Sequence, residues 1–329
     1  MTRLKTFWAL TPTFNPVGGV IKIFDYLRHA RALGWSVNIC APDATSPHGP
    51  LLAVPGVRGL LDDPAVSLRE GLRPAPRMGD LVFFSWPAHY VMLEPYLPRD
   101  FCRERVVHLV QNTRHANPDW IGGVGLRLLG RPMTRIVTSD AVGEMIAPYV
   151  NTRFATRVIE LGHRTDYFAR QRVGGLPRQV KVAYTTWKSD LGDRVRARLR
   201  PDGQRWSFRA IRGPATWSQL RRLYHWCDVF LGTPGPQEGH YLPGLEAMAA
   251  GALVVIPDVE GNRAYCRFGE NCMQVTYEDV DAYVEALRGL AAAPVQRVEA
   301  LRAAGYAEGG RHTLEAERAE FERLLGDLK

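Results

Sequence analysis

Two glutamates, Glu238 and Glu246, stand eight positions apart in the segment TPGPQEGHYLPGLEAMAAGALVVIP. An ionised carboxylate only accepts hydrogen bonds, which suits it to sugar and ribose hydroxyls. The stretch between them reads as a loop running into a helix, whose unpaired N–H groups and positive dipole end favour an anion such as a diphosphate. One carboxylate in the loop and one on the helix therefore suit a sugar nucleotide. Spacing alone leaves a second reading open, a surface loop and solvated helix whose glutamates bind nothing.

The elements that must position this pair are legible around it. Apolar runs predict buried strands at Asp228 to Gly232 and Leu253 to Ile256. Gly235 and Gly239 mark the loop, and a helix runs from about Pro243 to Ala250 with Pro243 at its first position. Near the amino end, FNPVGGVIKIFDYLRHARALGWSVNI reads as a strand end, the pair Gly18 and Gly19, and a helix. Glycines at such a turn allow close backbone approach to an anion, or simply make a tight turn. G-x-G-x-x-G is absent there, which speaks against a dinucleotide oxidoreductase.

Strand-like runs recur at Lys5 to Thr11, Ser36 to Ala41, Asp80 to Ser85, Arg105 to Val110, Arg135 to Thr138 and Thr156 to Leu161. They resume at Val180 to Thr185, Trp206 to Ala210, Cys227 to Leu231, Leu253 to Ile256 and Met273 to Val275, with amphipathic helices between. That alternation predicts an α/β protein with two parallel-sheet domains. Residues 42–55, rich in Pro, Ser and Gly, read as a loop, and the break lies around Gly162 to Pro177. The last segment, from Arg311, puts Leu314, Phe321, Leu324 and Leu325 on one helical face.

EGHYLPGLEAMAAGALVVIPDVEGNRAY resembles the E-G-F-G-L-P-x-L-E-A-M-A-x-G-x-P-V-V-x-x-D-x-x-G-N-x-E-Y signature of the family 4 retaining glycosyltransferases. The resemblance implies the GT-B fold, two Rossmann-like parallel-sheet domains facing across a cleft. It assigns residues 1–165 to the acceptor, 166–310 to the nucleotide-sugar donor, and 311–329 to a helix returning to the first domain. It further implies Glu238 at the donor sugar, Glu246 at the ribose, and the backbone of Gly239, His240, Tyr241 and Leu242 at the diphosphate. Tyr241, Glu260 and Ala264 depart from the pattern, Tyr241 standing where a glycine is usual.

The amino-terminal segment resembles the G-G-x…L-x-x-x-G-H-x-V start of the same family, which sets Gly18 and Gly19 against the donor phosphate and the acceptor. VKVAYTTWKSDLG resembles the first donor-domain strand and implies Lys188 as a phosphate contact. The Arg usual before that Lys is missing, so Arg194 or Arg212 would have to reach in. VIELGHRTDYF resembles V-I-x-N-G-x-D-x-x-x-F, with Leu161 and Arg164 as departures. Aligning RVVHLVQNTRH puts Gln111 where the family often carries a catalytic-side His. Gln111 can hydrogen-bond but cannot act as a base, and Asn112 and His115 are alternatives for the same place. Trp86 and His89, after another strand, are candidates for an acceptor pocket or ordinary core.

Asp279 and Asp281 form a D-x-D, read here as part of a capping-box-like helix start with Thr276 rather than as metal ligands. No metal or cofactor is expected beyond the nucleotide sugar. The 329 residues carry 46% hydrophobic and 23% charged side chains, a globular composition. A formal charge of +8 favours an anionic partner. The arginines are dispersed and no nucleic-acid motif is present, so nucleic acid is set aside while contact with acidic lipid stays open. Five scattered cysteines, never C-x-x-C, read as free thiols. With no apolar run of membrane length and no signal pattern, the expected place is the cytoplasm, including the inner membrane surface, as a monomer or homodimer. A sugar-nucleotide epimerase of the same fold and a non-catalytic nucleotide-sugar-binding protein remain as alternatives.

Overall fold

The computed structural model describes residues 5–41 and 49–328; of the expected loop at 42–55, residues 42–48 lie outside that description. The chain divides into two compact units. One comprises Met1–Leu161 with Glu317–Lys329, the other Gly162–Ala316, so the divisions fall a few residues from 165/166 and 310/311.

The first unit is built on a seven-stranded sheet of β1 (Thr6–Leu10), β2 (Ser36–Ala41), β3 (Val66–Glu70), β4 (Leu81–Phe84), β5 (Val106–Val110), β6 (Thr134–Val137) and β7 (Thr156–Val158). The order is β3-β2-β1-β4-β5-β6-β7 and every pairing is parallel. Its central strands LVFF and VVHLV are buried along their whole length, as parallel strands covered on both faces must be. β3 was not foreseen. Its sequence VSLRE lacks an apolar run, and as an edge strand it is only partly covered, so it is held by register against β2 rather than by burial.

The second unit carries β8 (Val180–Thr185), β9 (Trp206–Ile211), β10 (Val229–Leu231), β11 (Leu253–Pro257) and β12 (Met273–Val275), again all parallel, in the order β12-β11-β10-β8-β9. Alternation along β10 feeds two cores. Phe230 packs with Tyr224, Leu245 and Met248 on one face, while Val229 and Leu231 pack with Tyr184, Tyr283 and Leu287 on the other.

In each sheet the strand order reverses direction once, between β1 and β4 and between β8 and β10. Crevices at the carboxyl ends of strands at such points are where open α/β sheets take their ligands.

The closing helix, Leu314–Asp327, belongs to the first unit by packing. Phe321 meets Tyr26 and Phe7 edge-on, with ring centroids 5.0 and 6.1 Å away. Beside it the carboxylate of Glu317, fully covered, takes bonds from Lys22 Nζ at 3.0 and 2.9 Å and lies 2.8 Å from His29 Nε2. Asp25 lies 2.9 Å from the same ammonium. The apolar stripe of this helix was legible; the buried acid was not.

Candidate functional site

Lys188 follows β8 and Glu238 follows β10, so the order reversal in the second sheet sets their side chains against each other. Lys188 Nζ pairs with Glu238 Oε1. The same oxygen accepts the Gly235 N–H at 2.9 Å, while Oε2 takes part in neither bond. Glu238 is 7% exposed and Lys188 partly exposed, so the pair lies at a rim and not in a sealed core.

The adjoining helix is Leu242–Ala249, not Pro243–Ala250. Leu242 is its first residue and Pro243 the second, with Tyr241 at the N-cap and no side-chain cap. Tyr241 requires no glycine. Its φ is −89°, and its side chain turns inward, where the hydroxyl accepts the Thr233 N–H at 3.1 Å and Lys188 Nζ lies 5.6 Å from the ring. Burial pushes that hydroxyl up to about 12, so it stays protonated. The expectation that the Tyr241 and Leu242 amides face a phosphate needs correction. Tyr241 N–H donates to Gly261 O at 2.7 Å, and Leu242 N–H turns back to His240 O at 3.2 Å. Gly239 is buried in the turn, and the His240 ring packs near Tyr265 and His312.

Gly261 holds the turn from the other side. A Cβ there would lie 2.3 Å from the Glu238 Cβ, so only glycine lets these two segments touch. Its neighbour Asn262 is fully buried, accepting from Val259 N–H at 3.3 Å and donating to Pro257 O at 2.7 Å.

Glu246, 5% exposed, is bound on both oxygens. His163 Nε2 is 2.8 Å from Oε1, and Tyr224 Oη donates to Oε2 at 2.8 Å. Sequence reasoning missed both partners. A His inside GHRTDYF and a Tyr at the end of an amphipathic helix carry no local signal, because the contacts span 83 and 22 residues.

Arg212 is engaged elsewhere, in a two-pronged pair with Asp193 at 2.8 and 2.5 Å, exposed to solvent. Arg194 lies 3.6 Å from Glu278. Neither approaches Lys188 through any of these contacts. Of the D-x-D pair, Asp279 is itself the N-cap of Val280–Ala292, accepting from Ala282 N–H at 3.1 Å, and Asp281 pairs with Arg198 at 3.1 Å. Thr276 takes no part in that cap, since the helix starts later than the capping box requires.

In the first unit, Gly18 and Gly19 open the helix Gly18–Ala32, whose N-cap Val17 offers no side-chain cap. Both are exposed after β1. Gln111, after β5, donates from Nε2 to Gly19 O at 3.0 Å and to Ser85 Oγ at 2.8 Å, Ser85 following β4. Three strand ends thus converge at the order reversal of that sheet. Asn112 does not share this place, since its side chain accepts from Arg114 N–H at 2.9 Å and caps a short 3-10 turn.

Two histidines expected on the acceptor side turn into the core. His89 is 6% exposed and burial lowers its pKa to about 4; His115 is 3% exposed and burial, helped by Arg114, lowers it to about 3. Both are neutral near pH 7. His108, inside β5, is stacked on Phe84 at 4.6 Å, and burial first, then His115 and Arg135, depress its pKa further. Trp86 is 39% exposed and meets Trp120 edge-on at 5.4 Å. Four of the five cysteines are buried, Cys102 being exposed, and all are free thiols. Among the described residues, no helix is long and apolar enough to cross a membrane.

The stretch bearing both glutamates decides the sequence comparison. Residues 193–293 match the family of glycosyl transferases, group 1. No curated protein matches the sequence. Among solved structures, HepE of Anabaena in complex with UDP and glucose is similar at a TM-score of 0.72 and 13% identity, covering 99% of this chain and 100% of that one. Sucrose-phosphate synthase of Thermosynechococcus elongatus is similar at 0.72 and 15%, covering 98% and 99%. A glycosyltransferase of Rickettsia africae is similar at 0.68 and 12%, covering 99% and 98%. At such identities the likeness establishes the fold, a GT-B pair of Rossmann-like units.

Proposed function

We propose that this protein is a retaining glycosyltransferase of family 4 that moves a sugar from a nucleoside-diphosphate sugar to a hydroxyl or amine acceptor. The observation that carries this reading is the Lys188–Glu238 pair at the order reversal of the second sheet, inside a stretch where one carboxylate follows β10 and a second lies on the next helix. The family match over 193–293, and the UDP and glucose held by the Anabaena protein, support a nucleotide-sugar donor.

In this reading Glu238 accepts hydrogen bonds from donor-sugar hydroxyls through Oε2, and Glu246 reads the ribose. Lys188, released from Glu238 or shared with it, meets the charge that builds on the departing diphosphate as the bond from the anomeric carbon breaks. The acceptor heteroatom forms the new bond to that carbon and passes its proton to the departing diphosphate oxygen, which leaves with it. In the first unit, Gly18, Gly19 and Gln111 are assigned to the substrates, Gln111 as a hydrogen-bonding group. No metal is assigned a role, and the reaction is placed in the cytoplasm.

The test is a thermal-shift screen of UDP-, GDP- and dTDP-sugars followed by transfer assays with Glu238→Ala. A donor that binds the folded protein raises its melting temperature by mass action. One donor class should do so, and Glu238→Ala should lower its transfer about 100-fold, the range for losing a preorganised transition-state contact. Transfer at the wild-type rate would refute the role of Glu238. Interconversion of the donor sugar would identify an epimerase, and binding without transfer or hydrolysis across acceptors a non-catalytic module.

A further inference from the structure

Glu246 is the second carboxylate of the pair, yet its geometry is fixed by residues far from it in sequence. An ionised carboxylate has about four lone-pair sites, two on each oxygen. His163 takes one on Oε1 and Tyr224 one on Oε2, both at 2.8 Å, which leaves one on each oxygen and prevents the group from rotating. Two acceptor sites held side by side match the two hydroxyls of a vicinal diol such as the 2′ and 3′ positions of a ribose.

The His163 ring is itself immobilised. It is 3% exposed, with the Trp217 and Phe168 rings 5.3 and 6.0 Å away, and its backbone N–H donates to His312 O at 3.0 Å. A ring fixed in this way presents Nε2 to Oε1 in a single orientation, with its proton on that nitrogen. The Tyr224 hydroxyl stays a donor at all working pH, because burial first, then the charge of Glu246, raises its pKa well above the usual value.

We propose that His163, together with Tyr224, is a positioning residue for ribose recognition: the two donors lock the Glu246 carboxylate so that its remaining lone pairs read the 2′- and 3′-hydroxyls of a nucleoside diphosphate. The proposal rests on the reading of Glu246 as the ribose contact. A purely structural role for the triad would make His163 matter for stability without affecting which sugar ring is preferred.

The experiment compares calorimetric affinities of UDP and GDP with their 2′-deoxy and 3′-deoxy counterparts. The wild type, His163→Gln, His163→Leu and Tyr224→Phe are measured, each checked by circular dichroism. For the base that binds, the wild type should prefer the ribose form by about 10-fold or more, the worth of a hydrogen bond to a charged group. His163→Gln, which keeps an N–H donor, should retain most of that preference. His163→Leu should cut it to within about 3-fold, chiefly by losing ribonucleotide affinity. Should the leucine variant fail to fold, Tyr224→Phe, which keeps the ring, is expected to show the same narrowing. Undiminished preference in His163→Leu or Tyr224→Phe, or equal weakening of ribo and deoxy forms, overturns the proposal. A wild type that binds these diphosphates without preferring ribose overturns instead the assignment of Glu246, and one that binds none of them overturns the nucleotide-sugar reading itself.

Discussion

Replacing Gly261 by alanine should disable the site without unfolding the protein. The new Cβ would lie 2.3 Å from the Glu238 Cβ and 3.2 Å from its carbonyl carbon and oxygen. Carbon atoms rest about 3.5–4.0 Å apart, so one segment must retreat by roughly 1.2 Å or more. The atom encountered is a Cβ fixed to backbone and not a flexible tip. The retreat therefore carries the Glu238 carboxylate away from Gly235 N–H and Lys188, which hold it now. Misplacing a positioned group by about 1 Å costs on the order of 100-fold in rate, and forcing a methyl group into a packed turn costs about 1–3 kcal/mol. The assay is kcat/KM with the donor found by thermal shift, beside a urea melt. Gly326→Ala, at an exposed helical position with nothing within 4 Å, is the control and should leave kcat/KM unchanged and stability the same or raised by up to about 1 kcal/mol. An alanine at 261 with wild-type kcat/KM would refute the argument that this contact sets the position of Glu238.

Two further outcomes test the surrounding architecture. Glu317→Ala takes from buried Lys22 one of its two carboxylate partners, Asp25 remaining at 2.9 Å, and from His29 its own; breaking a buried pair costs at most about 3–5 kcal/mol, to be read from urea midpoints. The same cluster predicts a pH window: burial opposes ionisation of Glu317, but Lys22 and His29 outweigh it and hold its carboxyl below the usual value, while Asp25 and Glu317 raise Lys22 against the same burial cost. The Glu317 contribution is therefore present above the ordinary glutamate pKa and lost as pH falls through the depressed value. That of Lys22 is complete below the ordinary lysine pKa and lost as pH rises past the raised value. Melting temperature against pH should show both losses in the wild type and a smaller acid loss in Glu317→Ala; an unchanged acid limb would contradict the assignment. Tyr241→Phe should leave the Thr233 N–H without its acceptor, at about 1–3 kcal/mol, with donor affinity kept because the ring beneath Lys188 remains; a large loss of donor affinity would argue against that division of roles.

The sequence alone determined the layer architecture and the elements that carry the two glutamates. Fully buried parallel strands write themselves as continuous apolar runs, which is why β4, β5, β10 and β11 were legible to within a residue or two. The edge strand β3, with alternating polar residues, was not. The two glutamates, their loop and their helix are contiguous in sequence, so local pattern was enough to place them on adjoining elements. Tertiary structure decided which way each side chain turns and what holds it. Tyr241 faces the core and spends its amide on Gly261; His89 and His115 turn inward; Arg212 is captured by Asp193; Glu246 is gripped by His163 and Tyr224. Periodicity encodes burial, a property of one residue and its near neighbours, whereas a hydrogen bond across 83 residues exists only once the segment after β7 that carries His163 and the helix that carries Glu246 have packed together.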